Sequence, residues 1–69
     1  MYITNISYDK GGYHCYGDRG VIDISAGVFD ELKELWYDNN GGYVNRNGYK
    51  IWSFSVMQFV EYLDGEVVI

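Results

Sequence analysis

Apolar and polar residues alternate at the start of the chain. Tyr2, Thr4, Ile6 and Tyr8 fall on one side and Asn5 and Ser7 on the other, which predicts a strand. Asp9-Lys10-Gly11-Gly12 carries residues that tolerate positive φ, so the chain is expected to reverse into a second strand over Tyr13 to Tyr16. Gly17-Asp18-Arg19-Gly20 is a second turn signal before a short apolar strand at Val21 to Ile24. The period then changes from two to 3.6. Val28, Phe29, Leu32, Leu35 and Trp36 recur at helical spacing behind the N-cap candidate Ser25, with Ile24 and Phe29 placed as a hydrophobic staple. Asp38-Asn39-Asn40-Gly41-Gly42 supplies residues that close a helix.

A hairpin is expected next. Tyr43-Val44-Asn45-Arg46 faces Tyr49-Lys50-Ile51-Trp52 across Asn47-Gly48, a register that sets Val44 against Ile51 and Tyr43 against Trp52. Ser55 and Gln58 form a capping-box pattern, Phe54 and Phe59 a second staple, and Val56, Phe59, Val60 and Leu63 a helical stripe. Met57 and Tyr62 fall off that stripe, and Gly65 sits where a C′ glycine belongs. Glu66-Val67-Val68-Ile69 reads as a final strand. The expected fold is α+β in the order β-β-β-α-β-β-α-β, with both helices on one face of a mostly antiparallel sheet.

With 69 residues, 1-69 forms one small acidic domain and no second core. A chain this short buries only about 60% of the surface its unfolded form exposes, so aromatic mass matters. Eight Tyr, three Phe and two Trp supply it, and some of the Tyr are expected at the surface, where a ring with a polar tip suits protein recognition. One cysteine, Cys15, forms no internal disulfide, and with a single histidine it falls short of a zinc site. No cofactor or metal is therefore expected. The net charge of −5 disfavours direct binding of nucleic acid or anionic membrane and favours a basic partner. No apolar run reaches the length of a membrane span, no signal peptide opens the chain, and the free thiol suits a reducing compartment, so a cytoplasmic protein is expected.

Three patterns bear on chemistry. Gly12 to Arg19 has the glycine spacing of a phosphate-binding loop, but Asp18-Arg19 stands where that motif needs Lys and then Ser or Thr. His14 and Cys15 are adjacent on a predicted strand and point to opposite faces, so they form no dyad. Lys10, Arg19 and Arg46 fall in predicted turns, where Tyr13, Tyr16 or Tyr49 beside them would offer a stacking surface for single strands; three cations on so acidic a chain make a poor footprint for it.

The most informative polar feature lies on the predicted first helix. Asp30, Glu34 and Asp38 form an i, i+4, i+8 ladder with Glu31 beside it and Lys33 as the nearby base. Solubility accounts for many such faces. The alternative is a carboxylate surface offered to a basic site. One carboxylate per turn, about 6 Å apart, has about half the axial charge density of a DNA strand, so imitation of DNA would require Glu61, Asp64 or Glu66 nearby.

In size, charge and Tyr- and Asn-rich composition the chain resembles the small acidic proteins that phages encode to block host enzymes or defence systems, anti-CRISPR proteins among them. That resemblance implies a non-enzymatic inhibitor and carries no site residue with it. The expected partner-binding set is Asp30, Glu31, Glu34, Tyr37 and Asp38, with Tyr37 as an aromatic anchor on the polar side of the apolar stripe. The alternative is a small structural subunit that forms a homodimer through its C-terminal strand, Val67-Val68-Ile69.

Overall fold

A computed structural model describes residues 1–39, 41–46 and 49–69, with Arg46 described by its backbone. The elements are β1 (Tyr2–Asp9), β2 (Gly12–Gly17), β3 (Gly20–Ile24), α1 (Ala26–Asn39), β4 (Tyr43–Arg46), β5 (Tyr49–Phe59), β6 (Glu61–Leu63) and β7 (Glu66–Val68). Five strands form an antiparallel sheet in the order β3-β2-β1-β5-β4, and β6 and β7 form a separate hairpin. The meander, the first helix, the β4–β5 register and a strand at the C-terminal end match expectation. Asn40, Asn47 and Gly48, which the sequence places in turns, lie outside the described residues.

The second helix does not exist. Residues expected to form it continue β5 to Phe59 and then form β6, so the order among the described residues is β-β-β-α-β-β-β-β, with one helix rather than two. Ile6 pairs with Cys15 on one side and Trp52 on the other, which makes β1 central to the sheet. A strand ending at Trp52 would leave the N-terminal half of β1 paired with β2 alone and its other side open, and unpaired backbone groups are costly. β5 runs on instead, pairing Ile3 with Gln58 and Tyr2 with Phe59. Between the pairs Asn5↔Ser53 and Ile3↔Gln58 only Thr4 lies on β1, whereas Phe54, Ser55, Val56 and Met57 lie on β5. This bulge breaks the period-2 pattern and leaves a spacing that imitates a helix.

The expected apolar stripe fails with the helix that was to carry it. Val56, Phe59 and Leu63 are exposed, as are Met57 and Tyr62, and only Val60 of the stripe is buried. Gly65 closes no helix. Asp64 and Gly65 both have positive φ, 51° and 81°, the conformation of a two-residue hairpin turn between β6 and β7.

One face of the sheet holds Ile6, Cys15, Trp52 and Tyr13, and α1 lies across it through Phe29 and Leu32. Tyr8, Tyr13, Phe29, Trp52, Tyr43, Trp36 and Tyr37 make a continuous chain of ring contacts with centroid separations of 4.9, 4.7, 5.1, 5.0, 6.4 and 4.7 Å. The aromatic content thus becomes the contact between helix and sheet, contributing about 0.5–1.5 kcal/mol per pair beyond area burial. The opposite face has no helix over it among the described residues and carries Asn5, Ser7, His14, Tyr16, Tyr49 and Ile51.

Candidate functional site

The acidic ladder is built on α1. Ser25 caps the helix, its Oγ accepting from the Val28 amide at 3.2 Å, while its carbonyl accepts from Phe29 at 2.9 Å. Ile24 and Phe29 are both buried, as the staple requires. At the other end Trp36 Nε1 donates to the Gly42 carbonyl at 2.9 Å, and Asn39 holds the bulge of β5. With the apolar stripe fixed inward, residues 30, 31, 34 and 38 must face outward.

Asp30, Glu31, Glu34 and Asp38 are all exposed, and among the described residues none of them forms an ion pair. Lys33, the one base of the helix, forms no ion pair with them. Its Nζ lies 5.7 Å from the Phe29 ring centroid and 5.5 Å from that of Trp52, held by the rings' negative faces. Glu31, Glu34 and Asp38 rim an open groove of about 300 Å³ whose apolar lining is Leu35 and Ile69. Tyr37 is 63% exposed and packs edge-on against Trp36 at 4.7 Å, about two turns along the helix from Asp30. Four of the five residues singled out in the sequence are thus carboxylates on one helix, three of them gathered at the groove. Ile69 was missed, because a contact across the fold leaves no local pattern.

The open sheet face carries the remaining polar groups. His14 Nδ1 lies 2.8 Å from Asp23 Oδ1 and Nε2 3.3 Å from Asp9 Oδ1, linking β1, β2 and β3. Cys15 is fully buried on the other face, where burial pushes its thiol up to about 11. Neighbours on one strand are therefore separated by the sheet, and the thiol is held in its unreactive form. The segment from Gly12 to Arg19 is β2 and the turn after it rather than a strand-to-helix loop, which removes the phosphate-loop geometry.

Tyr16 and Tyr49 meet on this face with their hydroxyls 3.1 Å apart, and Ser7 Oγ donates to the Tyr16 hydroxyl at 3.3 Å. The shared hydrogen bond, with some burial, holds the Tyr49 phenol above its ordinary range. With Asn5 and Ile51 these rings line a depression of about 210 Å³. Tyr13 is not part of it, since it packs on Phe29 beneath the helix. The three tyrosines grouped by the sequence as a stacking surface are split between two faces.

No protein-family model matches the chain, and no curated protein or solved structure matches it. No helix among the described residues is long and apolar enough to cross a membrane.

Proposed function

We propose that this chain is a non-enzymatic binding protein that docks on a basic surface of a larger protein through the outer face of α1. The observation that carries the proposal is the diversion of Lys33 onto Phe29 and Trp52, which leaves Asp30, Glu31, Glu34 and Asp38 without a cation of their own helix. A partner's Lys or Arg has a matching seat in the groove. Its aliphatic stem lies on Leu35 and Ile69 and its charged head meets Glu31, Glu34 and Asp38. Tyr37 adds a rigid, exposed ring at the edge of the same face.

The resemblance to phage inhibitors makes the proposed partner a host enzyme or defence complex whose nucleic-acid-binding surface is occupied, in the cytoplasm. Contacts of this kind weaken with salt, because exposed charges are screened over about 10 Å at 0.1 M ionic strength.

Affinity capture from bacterial lysate with the native chain and with the triple variant D30K/E34K/D38K tests the proposal. Native chain is expected to retain a basic nucleic-acid-binding protein that is released by salt and absent from the variant. Equal recovery by both chains would remove the acidic face from the account.

A further inference from the structure

The end of β5 is an open strand edge. Met1 and Val60 exchange both backbone bonds, at 2.6 and 2.8 Å. Antiparallel ladders alternate, so the next pair, Tyr2 and Phe59, exchanges none, and the N–H and C=O of Phe59 aim away from β1. Met57, the last residue of the bulge, follows Ser55, whose amide turns to the same outer side. On that outer side β4 covers only Tyr49 to Trp52, Gly42 accepts from Ser53, and Asn39 serves Ser55 and Val56. Beyond these, no backbone or side-chain partner reaches Met57 or Phe59 among the described residues.

We propose that a second copy of this chain occupies this edge, the two β5 strands pairing antiparallel about a two-fold axis at Gln58. Met57 of each copy then faces Phe59 of the other as a hydrogen-bonded pair, so four backbone bonds form and the contact is isologous. Charge selects the occupant. Ile51 to Val60 is the longest run of the chain without Asp, Glu, Lys, Arg or His, and two copies that each carry −5 approach with least repulsion there. The edge carries none of the charges or prolines that usually block strand pairing.

The area is adequate. Tyr2, Val56, Met57 and Phe59 are 49, 65, 57 and 64% exposed, and Tyr2 packs edge-on against Phe59 at 5.3 Å. Residues of this size at such exposure offer at most about 500 Å² per copy, or about 1,000 Å² for the pair before Gln58 is counted. That meets the roughly 1,000 Å² asked of a specific contact and falls short of the roughly 1,200 Å² of stable interfaces, so the dimer is a weak one. The inference is independent of the acidic face on α1, and it places the contact on β5 rather than on the C-terminal strand, where Val67 is fully buried and pairs with Tyr62.

In this register Gln58 faces Gln58 of the other copy, in a pair that exchanges no backbone bonds and brings side chains closest. Sedimentation equilibrium of native chain, Gln58→Glu, Gln58→Lys and an equimolar mixture of the two variants tests it. The native chain is expected to dimerise, each variant alone to dimerise at least about tenfold more weakly from like-charge repulsion, and the mixture to recover the dimer. Recovery in the mixture also shows that both variants are folded. A native chain that stays monomeric at about 1 mM, where even a weak specific dimer forms, would overturn the proposal. So would a dimer indifferent to both substitutions, or variants that fail to associate when mixed.

Discussion

Ser55 Oγ donates to the backbone carbonyl of Asn39 at 2.8 Å, joining the bulge of β5 to the last residue of α1. Asn39 returns the contact. Its Oδ1 accepts from the Ser55 amide at 2.6 Å and the Val56 amide at 3.3 Å, and lies 2.8 Å from the Ser55 hydroxyl, whose single proton it shares with the carbonyl. A helix end and a strand irregularity thus satisfy each other's free groups, the task that capping residues usually perform within one element.

Asn39→Ala is therefore expected to lower unfolding free energy by about 1–2 kcal/mol and Ser55→Ala by about 1 kcal/mol, since these bonds are solvent-exposed and each has a modest net value. Asn39→Asp keeps the accepting oxygen and is expected to stay close to the native chain. Urea denaturation followed by tryptophan fluorescence reads all three; an Asn39→Ala chain as stable as the native one would show that the latch carries no weight.

Glycines divide by what a Cβ would meet. At Gly41 it would strike the Ser53 carbonyl and the Trp36 ring, and at Gly17 the Tyr2 carbonyl. Backbone oxygens cannot step aside as side chains do, so Gly41→Ala and Gly17→Ala are each expected to cost about 2 kcal/mol or more. Gly27, in the first turn of α1, has only Ser25 Oγ near, at 3.9 Å. Gly27→Ala is expected to raise stability by about 0.5 kcal/mol through helix propensity and a less flexible unfolded chain. Thermal melts of the three variants should shift in opposite directions; a loss at Gly27 would contradict the packing described.

Cys15 links pH to stability. Burial raises its thiol from an ordinary value near 9 to about 11 in the fold, so the native chain keeps a proton that the unfolded chain releases. Its contribution is full below about pH 9 and is lost as pH rises towards 11, because there the unfolded state binds fewer protons. Cys15→Ala is expected to flatten the fall in stability across that window. At pH 8 the folded thiol should resist alkylation and react only on unfolding. Rapid labelling of the folded chain would contradict its burial.

Much of this fold is legible in sequence up to Trp52 because each element there carries its own local signal. Tyr2 to Tyr8 alternates, Ser25 announces a 3.6-residue period, and the Tyr43–Arg46 and Tyr49–Trp52 segments match in register. Between Phe54 and Leu63 the local signals mislead. Ser55 and Gln58 have the spacing of a capping box, yet Ser55 serves Asn39, sixteen residues earlier, while Gln58 Nε2 donates to the Val56 carbonyl and its backbone pairs with Ile3. What decides the segment is the demand of β1 for a second neighbour, a non-local term that no window of residues contains. The clue that was present is Asp64-Gly65, a hairpin dipeptide read as a helix stop. The ladder was legible because i, i+4 spacing is local; the seat of Lys33 on Trp52 was not, since it needs β5 beneath the helix.

The carboxylates of α1 are proposed to serve a partner outside this chain rather than the fold itself. Unfolding free energy of the neutral variant D30N/E34Q/D38N, measured against the native chain in low-salt urea titrations, tests it most directly. Carboxylates without an internal partner repel one another by about 0.2–0.5 kcal/mol per i, i+4 pair, so the variant is predicted to be as stable as the native chain or a few tenths of a kcal/mol more stable. A loss of more than about 1 kcal/mol, the size of a lost hydrogen bond or ion pair, would show that the fold itself uses these groups and would contradict the account.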